Sequence, residues 1–328
     1  MNNLAIIIPA YKIEYFSKVL NSLAKQTCKD FTVYIGIDAS EHDFISIINL
    51  YDLEFNIVYQ YFPENLGSKD LVAHWERCID LVGNEEWLWL FSDDDIMDEF
   101  CVQNFYSVLA LNPFIDLFHF NVFQINEYHE IIDSYFPFPD LLTIQDFIKF
   151  RLQGLLNSFV VEYIFRKSSF FDSGRFHNFD LAWGSDDALW IKLGNKKGIK
   201  TIDKSNVYWR KSPFNISPNF SDKSIVLRKL SSQIYFSNWL FLEVKKNSVQ
   251  FPIQKLTILL ENWLLLSIRS RLSIVPIRSL FSLLSKSFSS YESNKFILLK
   301  LIPLYFFKFK ISLKSIFIRV TFKLNNYL

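Results

Sequence analysis

Residues 87–97 read WLWLFSDDDIM. An apolar run of strand length, from Trp87 to Phe91, ends abruptly in Asp93, Asp94 and Asp95. Like charges side by side repel one another, so something must offset them. The segments upstream show what kind of strand this is. LAIIIPA at 4–10, FTVYIGI at 31–37 and the run at 55–61 are further apolar or β-branched stretches of strand length. Between them, residues 16–23, 44–50 and 71–82 place apolar side chains at helical spacing. This alternation predicts an α/β fold with a mostly parallel central sheet and helices on both faces. Ligands bind such sheets at the carboxyl ends of the strands. Asp38 ends the second strand and the three carboxylates end the fourth, so all four are expected on one rim.

Downstream of Phe114 the pattern loosens into shorter aromatic strands and turns. Residues 159–166 read as a strand, Asp172-Ser173-Gly174 as a turn and 183–193 as a helix. Two short strands are expected at 199–202 and 207–209. Beyond Asp222 the spacing turns helical and basic, which sets a domain boundary there. Residues 223–328 carry 17 Lys and Arg against 3 Asp and Glu, while 1–222 carry 18 against 31. The net charge of +1 conceals that split, which suggests different partners for the two parts.

Composition narrows the classes. Half of the 328 residues are hydrophobic and only 8 are Gly, against low-complexity disorder. Cys28, Cys78 and Cys101 are odd in number and form no CxxC pair, against a disulfide framework or a zinc site. A reducing, cytoplasmic setting is expected. The N-terminus MNNLAIIIPAYK lacks a basic leader. The longest apolar stretches, 256–268 and 296–307, are broken by Glu261 and by Lys300 with Pro303, short of a membrane span. There is no GxxxxGK[ST] loop, no GxGxxG after the first strand and no GxSxG elbow. The five His show no metal-ligand spacing, and no nucleic-acid partner is expected.

Three acidic constellations remain, each with two readings. Asp93, Asp94 and Asp95 are either a carboxylate site for a hard divalent cation on a substrate diphosphate, or a solvated turn before a helix opened by Asp98 and Glu99. Asp186 and Asp187, in WGSDDALW, either cap a helix or hold a general base beside a substrate hydroxyl. Asp38, with Asn65-Leu66-Gly67 after the third strand, belongs either to turn chemistry or to a nucleotide pocket. Arg210 and Lys211 are diphosphate partners or surface cations. Trp183 is a sugar platform or core.

Taken in order, these pieces resemble family 2 glycosyltransferases over about residues 1–215. IIIPAYK followed by VLNSLAKQTCKDFTVYIGIDAS is similar to the family's opening. NLGSKD matches its N-x-G, FSDDDIMDEF its metal-binding D-x-D segment, and EYIFRKSSFFDSGRF with FDLAWGSDDALW its later acidic pair. The resemblance implies a GT-A type nucleotide-diphospho-sugar transferase fold for 1–222. It also implies inverting sugar transfer to a glycan or lipid-linked acceptor, in bacterial surface-polysaccharide synthesis. Carried over, Pro9, Ala10 and Tyr11 line the base pocket, and Asp38 contacts base or ribose. Asn65, Gly67 and Lys69 lie beside the nucleoside. Asp93 and Asp94 bind the nucleotide, and Asp95, with Asp93 as the alternative, ligates Mg²⁺ or Mn²⁺. Asp187 is the base with Asp186 beside it. A UDP-sugar donor is favoured. Two departures stand out: D-D-G-S reads Ile37-Asp38-Ala39-Ser40, and L-D-x-D-D reads Phe91-Ser92-Asp93-Asp94-Asp95.

Two other classes fit the carboxylates alone: a metal-dependent phosphodiester hydrolase, and a non-catalytic nucleotide-sugar or membrane-binding module. In the C-terminal third, KLIPLYFFKFKISLKSIFIRVTFK at 300–323 is basic and amphipathic, as segments lying in an anionic membrane interface are. A peripheral position on the inner-membrane surface is expected from it. The competing reading is a helical extension packed on the catalytic domain.

Overall fold

A computed structural model describes residues 3–212, 215, 221–271, 274–275 and 279. The chain runs β1 (Leu4–Ala10), α1 (Phe16–Ala24), β2 (Phe31–Asp38), α2 (Phe44–Ile48), β3 (Asn56–Phe62), α3 (Leu71–Ile79) and β4 (Trp87–Leu90). It continues through β5 (Ile96–Met97), α4 (Cys101–Leu111), β6 (Leu117–Ile125), β7 (Ile131–Ser134), β8 (Leu141–Leu142) and α5 (Ile144–Gln153). Then follow β9 (Tyr163–Arg166), α6 (Lys167–Asp172), α7 (Ser185–Gly194), β10 (Ile199–Arg210), α8 (Lys223–Lys245) and α9 (Ile253–Arg271).

The strands form one mixed sheet in the order β3-β2-β1-β4-β9-β6-β10-β5, with β7 on β6 and β8 on β10. β3, β2, β1 and β4 are parallel neighbours, as are β6 and β10, so most of the ladder is parallel. β9 is the exception at the centre, antiparallel to both β4 and β6.

Alternation along β1 sorts the core into two layers. Leu4, Ile6 and Ile8 face α1, α2 and α4, with Phe16, Phe44 and Phe105 packed against them. Ala5 and Ile7 face the other side, where α3, α5, α7, α8 and α9 converge. Successive strand side chains point to opposite faces, and both faces here are covered, which is why β1 is apolar throughout rather than alternating.

Two expected segments come out differently. Residues 159–166 hold a 3₁₀ turn, Val160–Glu162, before β9, because the Glu162 side chain accepts from Phe159 N at 3.2 Å and closes the turn. The two short strands at 199–202 and 207–209 are one strand, β10, with a register shift between Ile202 and Asn206. Asp98 holds that bulge by accepting from Asn206 N at 2.8 Å.

Asp222 caps α8, accepting from Ser224 N and Ile225 N at 2.7 and 3.0 Å. α8 and α9 then add Phe236, Trp239, Leu240, Leu256 and Leu260 to the layer built by α5 and α7. This first part of the extension is therefore packed on the sheet domain. The amphipathic stretch 300–323 lies outside the described residues. Among the described residues, no helix is long and apolar enough to cross a membrane.

Candidate active site

The carboxyl ends of β1, β2 and β4 lie side by side, and their side chains tie them together. Tyr11 N and Lys12 N, just past β1, donate to Asp93 Oδ2 at 2.8 and 2.7 Å. One carboxylate thus joins the ends of two adjacent strands. Lys12 Nζ forms an ion pair with Asp94, lies 3.4 Å from Asp93 Oδ1, and donates to Asn215 Oδ1 at 3.3 Å. Asp95 has both oxygens engaged: Ser92 Oγ donates to Oδ2 and Arg210 N to Oδ1, each at 2.6 Å. Burial pushes Asp93 and Asp95 up; Lys12 pulls Asp93 back, whereas Asp94 pushes Asp95 higher. Lys12 is itself held above its usual range, because Asp93 and Asp94 outweigh the burial that works against its charge.

Arg210 is fully buried. Its Nε donates to Asp94 O and its Nη1 to Asn126 O, both at 2.7 Å, and its guanidinium lies over the Tyr15 ring. It braces the acidic turn from behind.

These contacts test the fit of a divalent ion. Such an ion needs several oxygens open to one point. Among the described residues, no three His, Cys, Asp or Glu side chains converge on a common position. Asp95 is committed to a hydroxyl and an amide, and Asp93 and Asp94 face an ammonium. The carboxylate set, as folded, fits Lys12 and does not fit Mg²⁺ or Mn²⁺.

Asp38 is also a framework residue. Leu66 N and Gly67 N donate to its two oxygens at 2.8 Å each, and Arg77 adds an ion pair. Arg77 Nε donates to His74 Nδ1 at 3.0 Å, and burial pushes His74 down to about 4, so it is a neutral acceptor near pH 7. A Cβ on Gly67 would meet Asp38 Oδ2 at 2.7 Å, so only glycine lets the loop come this close. Asn65 Oδ1 accepts from Ser68 N at 3.0 Å and shapes the same loop. Ser40 Oγ donates to Tyr11 O at 3.0 Å, linking the ends of β2 and β1. Of the residues assigned to the nucleoside, Tyr11 and Lys69 are exposed, Lys69 paired with Glu64 at 2.7 Å. Ala10 is buried, and Pro9 lies in β1 opposite Gly36.

The second acidic group opens α7. Gly184, at φ +96°, turns the chain after Trp183, and Ser185 Oγ accepts from Phe179 N at 3.1 Å. Arg151 of α5 grips Asp187 through Nε, at 3.1 and 3.2 Å, and Nη2, at 2.6 Å. Asp186 accepts from Asp187 N at 2.9 Å and makes no ion pair among the described residues. Burial, and then the Asp187 charge, push Asp186 up to about 7. The Lys229 ammonium lies 4.6 Å over the Trp183 ring and covers one of its faces.

The two groups share a rim. β9 runs antiparallel to β4 with Ile164 opposite Trp89, so Glu162, before β9, falls beside the end of β4. Glu162 is buried, 3.4 Å from His119, and feels the charges of Arg151 and Asp186. Lys12, Arg151 and Glu162 carried no role in the sequence reading. Lys12 had a signal, a cation directly after the first strand where carboxylates were expected. Arg151 had none, since nothing in KFRLQG marks a partner 36 residues away.

No protein-family model matches the chain, and no curated protein matches it by sequence. Among solved structures, it is similar to residues 1–349 of TarS from S. aureus in complex with UDP. That match has a TM-score of 0.54 at 16% identity and covers 81% of this chain and 72% of that one. A longer TarS structure matches with a TM-score of 0.59 at 16% identity, over 81% of this chain and 43% of that one. The mannosyltransferase PcManGT from Pyrobaculum calidifontis, in complex with GDP-Man and Mn²⁺, matches with a TM-score of 0.52 at 11% identity, over 92% and 80%. At these identities the likeness speaks to architecture. The mixed, mostly parallel sheet with its rim of strand-end carboxylates is a GT-A type fold, as the sequence motifs imply.

Proposed function

We propose that the protein is an inverting glycosyltransferase that moves a sugar from a nucleoside-diphosphate donor to an acceptor hydroxyl. The observation that carries this reading is Asp186. It is a half-buried carboxyl that makes no ion pair among the described residues, pushed up to about 7 by burial and the Asp187 charge, and its charge is felt by Glu162 beside the end of β4. A general base works best when its pKa lies near the operating pH. Asp187, although the first choice from sequence, has both oxygens on Arg151; it positions the α7 terminus and leaves the proton transfer to Asp186.

The step is a single displacement. The acceptor oxygen bonds to the anomeric carbon and gives its proton to Asp186. The bond to the diphosphate breaks, and its electron pair leaves with the nucleotide. One base on one side gives inversion. Tyr11 offers an exposed ring to the nucleobase, Asn65, Gly67 and Lys69 border the nucleoside, and the half-buried Trp183 faces the acceptor. Mg²⁺ or Mn²⁺ enters by resemblance and by the Mn²⁺ bound to PcManGT, and the carboxylates as folded do not fit it. A UDP-sugar is supported by TarS bound to UDP-GlcNAc, and a GDP-sugar by PcManGT. The glycan or lipid-linked acceptor, and a post at the inner-membrane surface, rest on the resemblance and on the basic 223–328 region.

The test is turnover of UDP- and GDP-sugars with glycan and polyprenyl-diphosphate-linked acceptors, with products read by mass spectrometry and anomeric configuration by NMR. An inverted glycoside, lost in Asp186→Asn, is the expected result. Hydrolysis of the donor without acceptor product would sink the transferase reading in favour of a hydrolase. Donor binding without any turnover would leave a binding module.

A further inference from the structure

We propose that Lys12 is the resident counter-cation for the donor diphosphate, so that the protein binds a nucleoside diphosphate without a divalent metal. This rests on the glycosyltransferase reading and deepens it. Lys12 has a fixed root: its own N–H and that of Tyr11 are pinned by Asp93 at the end of β1. Its ammonium stands among Asp93, Asp94 and Asn215, in the place a metal ion would need.

Exposure gives the cluster a direction. The Lys12 side chain is 25% exposed, whereas those of Asp93 and Asp94 are 6% exposed. A ligand arriving from solvent therefore meets the ammonium first and the carboxylates behind it. At close range the nearest charge dominates, since Coulomb energy falls with distance. Lysine binds phosphate as a compact point charge with three rotatable donors. Of its two side-chain hydrogen bonds, to Asp94 and to Asn215 Oδ1, the longer, 3.3 Å to the neutral Asn215, is the one a phosphate oxygen replaces. When the anomeric carbon–oxygen bond breaks, the electron pair settles on the diphosphate oxygen that Lys12 hydrogen-bonds, while the acceptor's proton goes to Asp186.

The experiment is calorimetric titration of UDP and GDP into the full chain, in EDTA and in Mn²⁺, for wild type, Lys12→Met and Lys12→Arg. Direct Mn²⁺ titration by electron paramagnetic resonance, without nucleotide, runs beside it. We expect wild type to bind one nucleotide about equally tightly in both conditions and to take up no Mn²⁺ alone. Losing a charge-assisted hydrogen bond makes Lys12→Met bind about 10–100-fold more weakly in EDTA. That variant should also gain Mn²⁺ binding, because its carboxylates lose their cation. Lys12→Arg should keep metal-free binding, and with wild type it decides the matter if Lys12→Met fails to fold. Wild-type binding that requires Mn²⁺, or a folded Lys12→Met that binds normally in EDTA, overturns the inference and leaves the transferase reading standing. No binding of either nucleotide, in either condition, to folded protein removes that reading and the inference with it.

Discussion

The two acidic groups of this molecule are built alike in sequence and oppositely in space. Asp93, Asp94 and Asp95 are offset from nearby, by the amides of Tyr11 and Lys12, the Lys12 ammonium, a serine hydroxyl and one amide of β10. Asp186 and Asp187 share one distant guanidinium, Arg151, and it goes to Asp187 alone. The first group is saturated and serves as a frame. The second is divided, and the carboxylate left over, Asp186, makes no ion pair among the described residues. Adjacent aspartates differ in chemistry when their partners are allotted unequally, and the allotment is made by the fold.

That contrast is broken most directly at Asp186. Asp186→Asn should lower kcat by about 10²–10⁴-fold, the usual worth of a general base, with nucleotide binding by calorimetry unchanged. Asp187→Asn giving the greater loss would return the base to Asp187. In wild type, kcat/KM should rise with pH through about 7 as Asp186 loses its proton. Stability should move the other way. Asp186 holds its proton more tightly folded than unfolded, so its contribution falls as pH rises from the ordinary carboxylate range through about 7.

Arg151→Met comes next. It strands Asp187 in a largely buried place and should cost about 3 kcal/mol in urea denaturation. It should also shift the kcat/KM limb to higher pH, because Arg151 now holds Asp186 down. A limb that stays put would mean that the pair serves stability alone. Asp38→Asn tests the frame side: a carboxylate bridging two amides and Arg77 should cost about 1–3 kcal/mol by thermal melting, since an amide cannot accept from all of them. The smallest effect is a gain. Ala39 sits at φ +52°, a conformation that costs a β-carbon about 1–2 kcal/mol, so Ala39→Gly should stabilise by up to about that amount.

Sequence carried the first half of the fold almost intact. Patterns in β1, β2 and β4 are strong because those strands are covered on both faces, and local sequence records that coverage; β3, the largely exposed edge strand, is legible from its β-branched and aromatic run. It served less well after Phe114. β6 hides in a mixed run because His119 stacks on Phe138 and Asn121 accepts from Phe138 N, so polar side chains point inward. β10 looked like two strands because its bulge carries Asp203 and Lys204. In the site, positions at strand ends could be read directly. Partnerships could not: the Arg151–Asp187 pair joins α5 to α7, and no local pattern encodes a contact between residues so far apart.

The antiparallel insertion of β9 has a bearing on how such a protein changes over time. β4 ends at the acidic turn proposed to meet the donor, and β9, laddered against it, follows directly from Glu162, which feels the charge of the proposed base Asp186. A hydrogen-bonded sheet is stiff, and α7 is tied to α5 by the Arg151–Asp187 pair, so the offset between the acidic turn and Asp186 is held by the packed framework. New acceptors must then be fitted by the surrounding loops, which tolerate substitution and insertion far better than a ladder does. On the proposed reading the chemistry is anchored in the packed framework, and the choice of acceptor is left to the parts of the chain that vary most freely.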